Sequence, residues 1–170
     1  TGSICAHVYD GIDGGSVAAL TSHANYPYSP DESVVLGQSD NAELRFPESG
    51  TERSNNYGVL IEGYLQPPAA ATYTFSTHSD DASEVHIQVA GEWTKVVEST
   101  APTYSNVVQG TVEVNLVAGK PYKLKVLFKE GWHGDFVYVG FTYNGIEVNR
   151  IPLSYFAMPD DHCSFHGTVG

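Results

Sequence analysis

The stretch YGVLIEGYLQPPAAATYTFSTHSDDASEVHI, residues 57–87, contains three short apolar or alternating segments separated by a proline turn and by a pair of aspartates. The segments are rich in β-branched and aromatic residues, which are enriched in strands. Asp80 and Asp81 stand where the second segment ends and the third begins. Adjacent aspartates at such a junction form either a turn, in which the side chains accept hydrogen bonds from nearby backbone amides, or a cation site. The residues alone leave both explanations open.

The rest of the chain continues the same pattern. Further strand-like segments occupy 110–118, 122–129, 135–143 and 145–153, and glycine and proline separate them at intervals typical of all-β proteins. Helical periodicity is scarce, and the sequence shows no internal repeat and no linker. We therefore predict an all-β fold, an antiparallel β-sandwich with long surface loops.

Two neighbouring segments alternate apolar and polar residues, as half-buried strands do. The turn AGKP, residues 118–121, separates them and predicts that they pair as an antiparallel hairpin. The residues predicted to face the core are Val112, Val114 and Leu116 in the first segment and Tyr122, Leu124 and Val126 in the second. Residues 21–57 lack this periodicity, and we expect a long loop excursion there with one short helix.

Composition limits the possible partners. The 170 residues, 41% of them hydrophobic, suffice for one domain with a sizeable core. Twenty acidic against eight basic residues give a formal charge of −12, which repels nucleic acid and anionic membrane surfaces and supplies hard oxygen ligands for calcium. No apolar run is long enough to insert into a membrane, and we expect that any secretion signal has already been removed.

The two cysteines, Cys5 and Cys163, lie near opposite ends of the chain. A metal site or a redox motif would need closer spacing or more partners, so a disulfide joining the termini is the simpler interpretation, and it implies an oxidising compartment. Closing so long a loop is worth about 4–5 kcal/mol in the chain-entropy treatment. The alternative is two unrelated buried thiols.

The order of motifs in residues 57–87 resembles that of a known family. The strand GVLIEGYL, the proline turn, YTF and then SDDAS before an apolar strand are similar to the protective-antigen type β-sandwich domain, the PA14 domain. This family occurs in bacterial toxins, glycosidases and adhesins, and in yeast flocculins and epithelial adhesins. The resemblance covers residues 4–156 and implies a single ligand-binding domain over 1–170, with 157–170 as a C-terminal tail. It also implies that the first and last strands lie side by side, which favours the disulfide.

The resemblance assigns a role to the aspartate pair. In lectins of this family the two aspartates lie in a first binding loop, are joined by a cis peptide and bind one Ca²⁺ ion, whose coordination is completed by a second loop and by vicinal hydroxyls of a sugar. Asp80 and Asp81 match this motif, although Ala82 stands where the family commonly has glycine.

The second loop corresponds to KEGWHGDFVYV, residues 129–139. Calcium binds 6–8 oxygens, and glycine-flanked irregular segments expose backbone carbonyls that can complete such a set. By position in the family, Glu130 is the side-chain ligand, and Trp132 and Gly134 donate carbonyls. Asp135 is a further candidate, and the resemblance leaves the choice between Glu130 and Asp135 open.

The same two loops are expected to contact the sugar. Trp132 offers a flat apolar face and His133 a hydrogen-bond donor to a pyranose ring. The alternative for both is structural, with Trp132 packed on the rim of the sandwich and His133 solvated. The predicted sugar-binding residues are Asp80, Asp81, Trp132, His133 and Asp135.

Histidines near acidic residues raise the question of zinc. His78 and His86 flank the aspartate pair, but His86 alternates with Val85 and Ile87 and therefore faces away from the junction. We do not expect zinc there. The stretch DDHCSFH, residues 160–166, contains Asp160, Asp161, His162 and His166, and we interpret it as a tail anchored by the disulfide and not as a metal cluster.

No catalytic motif is present, and no pair of carboxylates is placed as glycoside hydrolysis requires, so we do not expect an enzyme. The resemblance implies a monomeric, calcium-dependent lectin domain of an extracellular adhesin at a cell surface or cell wall. Its partners would be cell-surface glycans ending in mannose-, galactose- or fucose-type sugars. The alternatives are a structural or protein-binding module of a larger secreted protein and an accessory sugar-binding domain of a glycoside hydrolase.

Overall fold

A computed structural model describes residues 2–103, 106–132, 134–158 and 163. Among them lie one short helix, α1 (Val17–Thr21), and a 3-10 turn, Leu153–Tyr155. The strands are β1 (Ile4–Asp10), β2 (Glu32–Leu36), β3 (Arg45–Phe46), β4 (Tyr57–Leu65), β5 (Ala71–Asp80), β6 (Ala82–Val89), β7 (Glu92–Ser99), β8 (Val108–Gln109), β9 (Val114–Leu116), β10 (Tyr122–Glu130), β11 (Phe136–Tyr143), β12 (Ile146–Val148) and β13 (Phe156–Ala157).

The strands form two sheets. The larger has the order β2-β1-β4-β10-β6-β7, with β13 also pairing with β4. The smaller has the order β12-β11-β5-β8, with β3 beside β11 and β9 beside β5. All pairings between these strands are antiparallel. The predicted antiparallel β-sandwich is confirmed.

The main core lies between the sheets, where alternate residues of each strand point inward. A second cluster covers part of the outer face of the larger sheet, because Val17 and Leu20 of α1 pack against Leu60, Leu127 and Tyr9. Ser16 caps this helix by accepting a hydrogen bond from the amide of Ala19. The main core contains, among others, Val59, Ile61, Phe75, Val85, Val126, Phe128, Val137 and Val139.

The predicted hairpin is wrong. The strand β9 is only three residues long and pairs with β5 in the smaller sheet, whereas β10 pairs with β4 and β6 in the larger sheet. Val112 lies outside the strand and is 40% exposed. Alternation shows which side chains of a strand are buried but not which strand lies beside it, so a short turn also suits a chain that crosses between sheets.

The segment 21–57 is less irregular than expected. It contains β2 and β3, which pair with β1 and β11, and the helix α1 ends at its first residue. Both strands are short, and this explains why a window-based pattern does not reveal them.

The disulfide between Cys5 and Cys163 is confirmed. Their Cα atoms lie 5.4 Å apart across a sequence separation of 158 residues. The expected side-by-side arrangement of the first and last strands is wrong: β1 and β13 both pair with β4 and lie end to end along its length, because each covers a different part of β4. Apart from Cys163, the stretch from 159 to 170 lies outside the described residues.

Candidate calcium and sugar site

The aspartate pair lies where the chain passes from the smaller sheet to the larger one. Asp80 ends β5, Ala82 begins β6, and the peptide bond between Asp80 and Asp81 is cis. Behind the pair, the hydroxyls of Ser79 and Ser83 lie 2.7 Å apart, and the Ser79 hydroxyl donates to the carbonyl of Asp81 at 3.1 Å. Buried hydroxyls therefore hold the backbone of the junction from the core side.

Glu130 approaches the pair from the neighbouring strand. The register of β10 against β6 places Lys129 opposite Ala82, so that Glu130 ends β10 beside Asp81. Carboxylate oxygens of Asp80, Asp81 and Glu130 lie within 4.8 Å of one another. We call these three residues the carboxylate cluster.

The Glu130 carboxylate is the most unusual group of the carboxylate cluster. The residue is 0% exposed, and within the part of the chain that the structure describes neither carboxylate oxygen has a hydrogen-bond partner. Burial, together with the charges of Asp81, Asp80 and Asp135, raises the pKa of this carboxyl to about 8 against the opposing charge of Lys129. Among the described residues, no cation forms an ion pair or hydrogen bond with this carboxylate.

Lys129 lies on the opposite face of β10, where it is also buried. Its ammonium donates to the carbonyls of Ile12 at 2.7 Å, Gly14 at 2.5 Å and Glu130 at 2.9 Å. Burial lowers the pKa of Lys129, and the nearby carboxylates oppose that shift. Lys129 fixes the loop 11–16, and this contact was not predicted, because the alternation in β10 groups Lys129 with the surface lysines.

The second predicted loop lies beside both aspartates. The amide of Gly131 donates to Asp81 Oδ2 at 2.7 Å, and the Gly131 carbonyl accepts from the amide of Asn56 at 3.1 Å. A Cβ added at Gly134 would come within 3.4 Å of Asp80 Oδ2. Trp132 is 68% exposed, so it is not packed into the rim. His133 lies outside the described residues.

Asp135 is held differently from Glu130. Its Oδ2 accepts a hydrogen bond from the hydroxyl of Tyr57 at 2.6 Å. The tyrosine is fully buried, and burial, together with this bond and the charges of Asp135 and Glu130, raises its pKa. Asp135 therefore has a neutral hydrogen-bond partner, Tyr57. Of the two carboxylates that the sequence left as alternatives, it is Glu130 that lies in the carboxylate cluster.

Neither His86 nor His78 belongs to the carboxylate cluster. His86 lies on the outer face of the larger sheet, opposite Lys125 and Lys95, and 3.7 Å from a carboxylate oxygen of Glu84. It faces away from the aspartates, as its alternation predicts. His78 contacts the ring of Phe136, with ring centroids 4.8 Å apart. The predicted tail residues Asp160, Asp161, His162 and His166 lie outside the described residues.

The two-sheet sandwich, with paired aspartates at one end facing a glycine-rich loop, defines a β-sandwich domain with a candidate cation and ligand site at its rim. The profile of the PA14 domain matches residues 22–146, and the chain belongs to this family, as its sequence resemblance predicts. No curated protein matches the chain by sequence.

Solved structures share the fold at low sequence identity. An anti-sigma factor domain-containing protein superposes with a TM-score of 0.66 at 15% identity, covering 94% of this chain and 48% of that one, so the chain spans about half of its length. The PA14 sugar-binding domain from an RTX adhesin gives 0.65 at 15% identity, with 93% and 99% covered. The epithelial adhesin 9 A domain from Candida glabrata, in complex with Galb1-3GlcNAc, gives 0.63 at 13% identity, with 98% and 93% covered.

Among the described residues, no helix is long and apolar enough to cross a membrane.

Proposed function

We propose that this domain is a calcium-dependent lectin domain that binds the vicinal hydroxyls of a terminal hexose. The observation that carries the proposal is the Glu130 carboxylate, which is fully buried, has no hydrogen-bond partner among the described residues and faces Asp80 and Asp81. A buried carboxylate without a partner is costly unless it is protonated or beside a cation. Three converging carboxylates are hard oxygen donors of the kind that calcium prefers.

The residues of the two loops fit such a site. Asp80, Asp81 and Glu130 would hold the ion, and backbone carbonyls of Trp132 and Gly134 are candidates for completing the set. A bound calcium ion would supply a positive centre for two adjacent sugar hydroxyls. The exposed ring of Trp132 would line the sugar, with His133 and Asp135 beside it as hydrogen-bonding groups.

The family and the related structures support carbohydrate as the ligand class. One relative is described as a sugar-binding domain, and another was solved with a galactose-containing disaccharide. We propose cell-surface glycans with galactose-, mannose- or fucose-type ends as partners, and an extracellular monomeric domain over residues 1–170 with its core at 4–156. Affinity for one exposed sugar is expected to be weak, about 0.1–10 mM, so adhesion would depend on many copies.

The test combines calorimetry with a glycan array. Wild-type protein should bind calcium, and glycan binding should disappear in excess chelator and return with calcium. Asp80→Asn and Asp81→Asn each remove one negative charge and should weaken calcium binding about tenfold or more without unfolding the sandwich. Glu92→Gln, an exposed acid on β7, is the matched control and should bind calcium as wild type does.

Three results would contradict the proposal in different ways. Glycan binding that persists in excess chelator would exclude the calcium mechanism. Calcium binding without binding to any glycan would favour a structural or protein-binding module of a larger secreted protein. Glycan binding that needs the domain's natural neighbour in a hydrolase would favour the accessory role.

A further inference from the structure

A row of rings on the outer face of the smaller sheet begins at the carboxylate cluster. The register of β11 against β5 places Phe136 opposite Asp80 and Tyr138 opposite His78. Val137 and Val139 are buried in the core, so Phe136 and Tyr138 point outward. Ring centroids are 4.8 Å apart between His78 and Phe136 and 5.4 Å apart between Phe136 and Tyr138. We call His78, Phe136 and Tyr138 the aromatic strip.

Two arginines lie over the far end of the aromatic strip. The guanidinium carbon of Arg150 is 3.9 Å from the centroid of the Tyr138 ring, and that of Arg45 is 5.4 Å from the same centroid. The sequence contains only three arginines. Arg150 also contacts Glu43, with 3.6 Å between Nη1 and Oε2, and Arg45 donates from Nε to the carbonyl of Pro47 at 3.3 Å.

Beyond Tyr138, the chain closes the far end of the aromatic strip. A Cβ added at Gly140 would come within 2.5 Å of the Val148 carbonyl and 2.6 Å of the Asn149 carbonyl, so the chain crosses the outer face there. At about 3.4 Å per residue, His78 lies roughly 7 Å along the strand from Asp80. That spacing is comparable to one pyranose unit.

We propose that the aromatic strip binds the sugar that follows the terminal hexose of a glycan, and that Arg45 and Arg150 select an acidic group on that sugar. This inference rests on the proposed calcium-dependent lectin function. Aromatic rings pack against the apolar faces of pyranoses, and guanidinium groups bind carboxylates and sulfates through paired N–H donors. The strip connects directly with the carboxylate cluster at Asp80, so one glycan can contact both.

The net negative charge of the molecule opposes the binding of acidic glycans, so a preference for them requires a local positive charge. A chain with a net charge of −12 repels acidic glycans in general, and the two arginines beside Tyr138 give them a favourable point of contact at the end of the strip. Glu43 lies beside Arg150 and limits the gain. The expected effect is therefore that of an exposed ion pair, about threefold to fivefold in affinity.

The test compares four probes against the calcium-loaded protein by calorimetry. They are galactose, Galβ1-3GlcNAc, the same disaccharide with a 6-sulfate on GlcNAc, and galactose linked to glucuronate. Mannose replaces galactose in each probe if mannose is the sugar that binds. We expect both acidic disaccharides to bind more tightly than the neutral one, and a response to one of them alone would identify sulfate or carboxylate as the group selected.

The arginine variant separates the guanidinium groups from the aromatic strip. Arg45→Gln combined with Arg150→Gln should abolish the preference for acidic probes, and Tyr138→Val, which keeps a strand-forming residue, should reduce disaccharide affinity about fivefold towards that of the monosaccharide. Both should leave calcium and monosaccharide affinity within twofold of wild type. Tyr64→Val, on the outer face of the other sheet, is the matched control.

The outcomes are distinguishable. If the monosaccharide binds with calcium but neutral and acidic disaccharides bind equally and the variants change nothing, the inference is wrong and the proposed function stands. If no probe binds in the presence of calcium, both fail. Should Tyr138→Val not fold, the arginine double variant still decides whether acidic groups are selected.

Discussion

At the scale of single residues, Glu130 is unusual because its environment opposes its own charge. It ends a strand whose inward positions are otherwise apolar or aromatic, and its nearest acidic neighbours are the two aspartates. In the calcium-free protein the Glu130 carboxyl retains its proton at neutral pH, because its pKa is about 8. The same group would become a strong ligand once a cation displaced that proton.

This predicts a pH-dependent stability of the calcium-free protein. The folded pKa of Glu130 lies above the ordinary glutamate value of 4.5, so between about pH 4.5 and 8 the folded protein holds a proton that the unfolded chain has released. This contribution to stability is complete below about pH 4.5 and is lost as the pH rises towards 8. Thermal melting with chelator at pH 5 to 8 should show a steeper fall for wild type than for Glu130→Gln.

The comparison with Glu130→Gln isolates one group, because every other titrating residue is shared. Parallel melting curves against pH in the two proteins would show that Glu130 is ionised in the folded state. Saturating calcium should remove the difference in slope between pH 5 and 8, because a bound cation would hold Glu130 in its charged form.

At the scale of secondary-structure elements, β10 places a functional side chain on each of its two faces. Its inward face ends at Glu130 in the carboxylate cluster, and its outward face ends at Lys129, which holds the loop 11–16 through carbonyls of Ile12 and Gly14. A Cβ added at Gly15 in that loop would come within 3.2 Å of Asp81 Oδ2. The loop therefore packs against the cluster, and Lys129 keeps it there.

Removing this cation should be costly. Lys129→Met keeps the aliphatic stem but leaves three carbonyls without their charged donor, and we expect a loss of about 3 kcal/mol in unfolding free energy. Lys123→Met, on the same face of the same strand but exposed, should change it by less than about 0.5 kcal/mol. Urea denaturation measures both, and equal effects would show that the buried ammonium has no special role.

The contrast between these two lysines shows how far the sequence predicts the structure. Alternation in YKLKVLF correctly places Tyr122, Leu124 and Val126 inside, and the motif SDDAS leads to the carboxylate cluster. The same alternation cannot separate Lys129 from Lys123, because the loop that buries Lys129 comes from residues more than a hundred positions away. The pairing of β9 with β5 is likewise a long-range contact that local pattern does not encode.

At the scale of the whole molecule, both the core of the sandwich and the disulfide stabilise the fold. The core between the sheets is extensive, and the disulfide adds the restriction of a loop closed across 158 residues. By the chain-entropy treatment this is worth about 4–5 kcal/mol.

A variant with both cysteines changed to serine should therefore be less stable by up to about 4–5 kcal/mol in the unfolding free energy while keeping its fold. Circular dichroism during urea denaturation measures the change. Reduction of the wild-type protein should lower its stability by a similar amount, and a double variant as stable as the oxidised wild type would show that the core alone restrains the ends.

The position of that disulfide also determines how the domain responds to mechanical tension. Cys5 pairs with Glu62 and Asp10 with Tyr57, and Tyr57 lies opposite Glu130, so the disulfide and the carboxylate cluster are at opposite ends of β1 and β4, about 17 Å apart along the strand. A pull between a ligand at the cluster and either terminus runs parallel to the strands and loads their hydrogen bonds together, in shear. A pull between the two termini passes through the Cys5–Cys163 disulfide and places no load on the strands between the two cysteines.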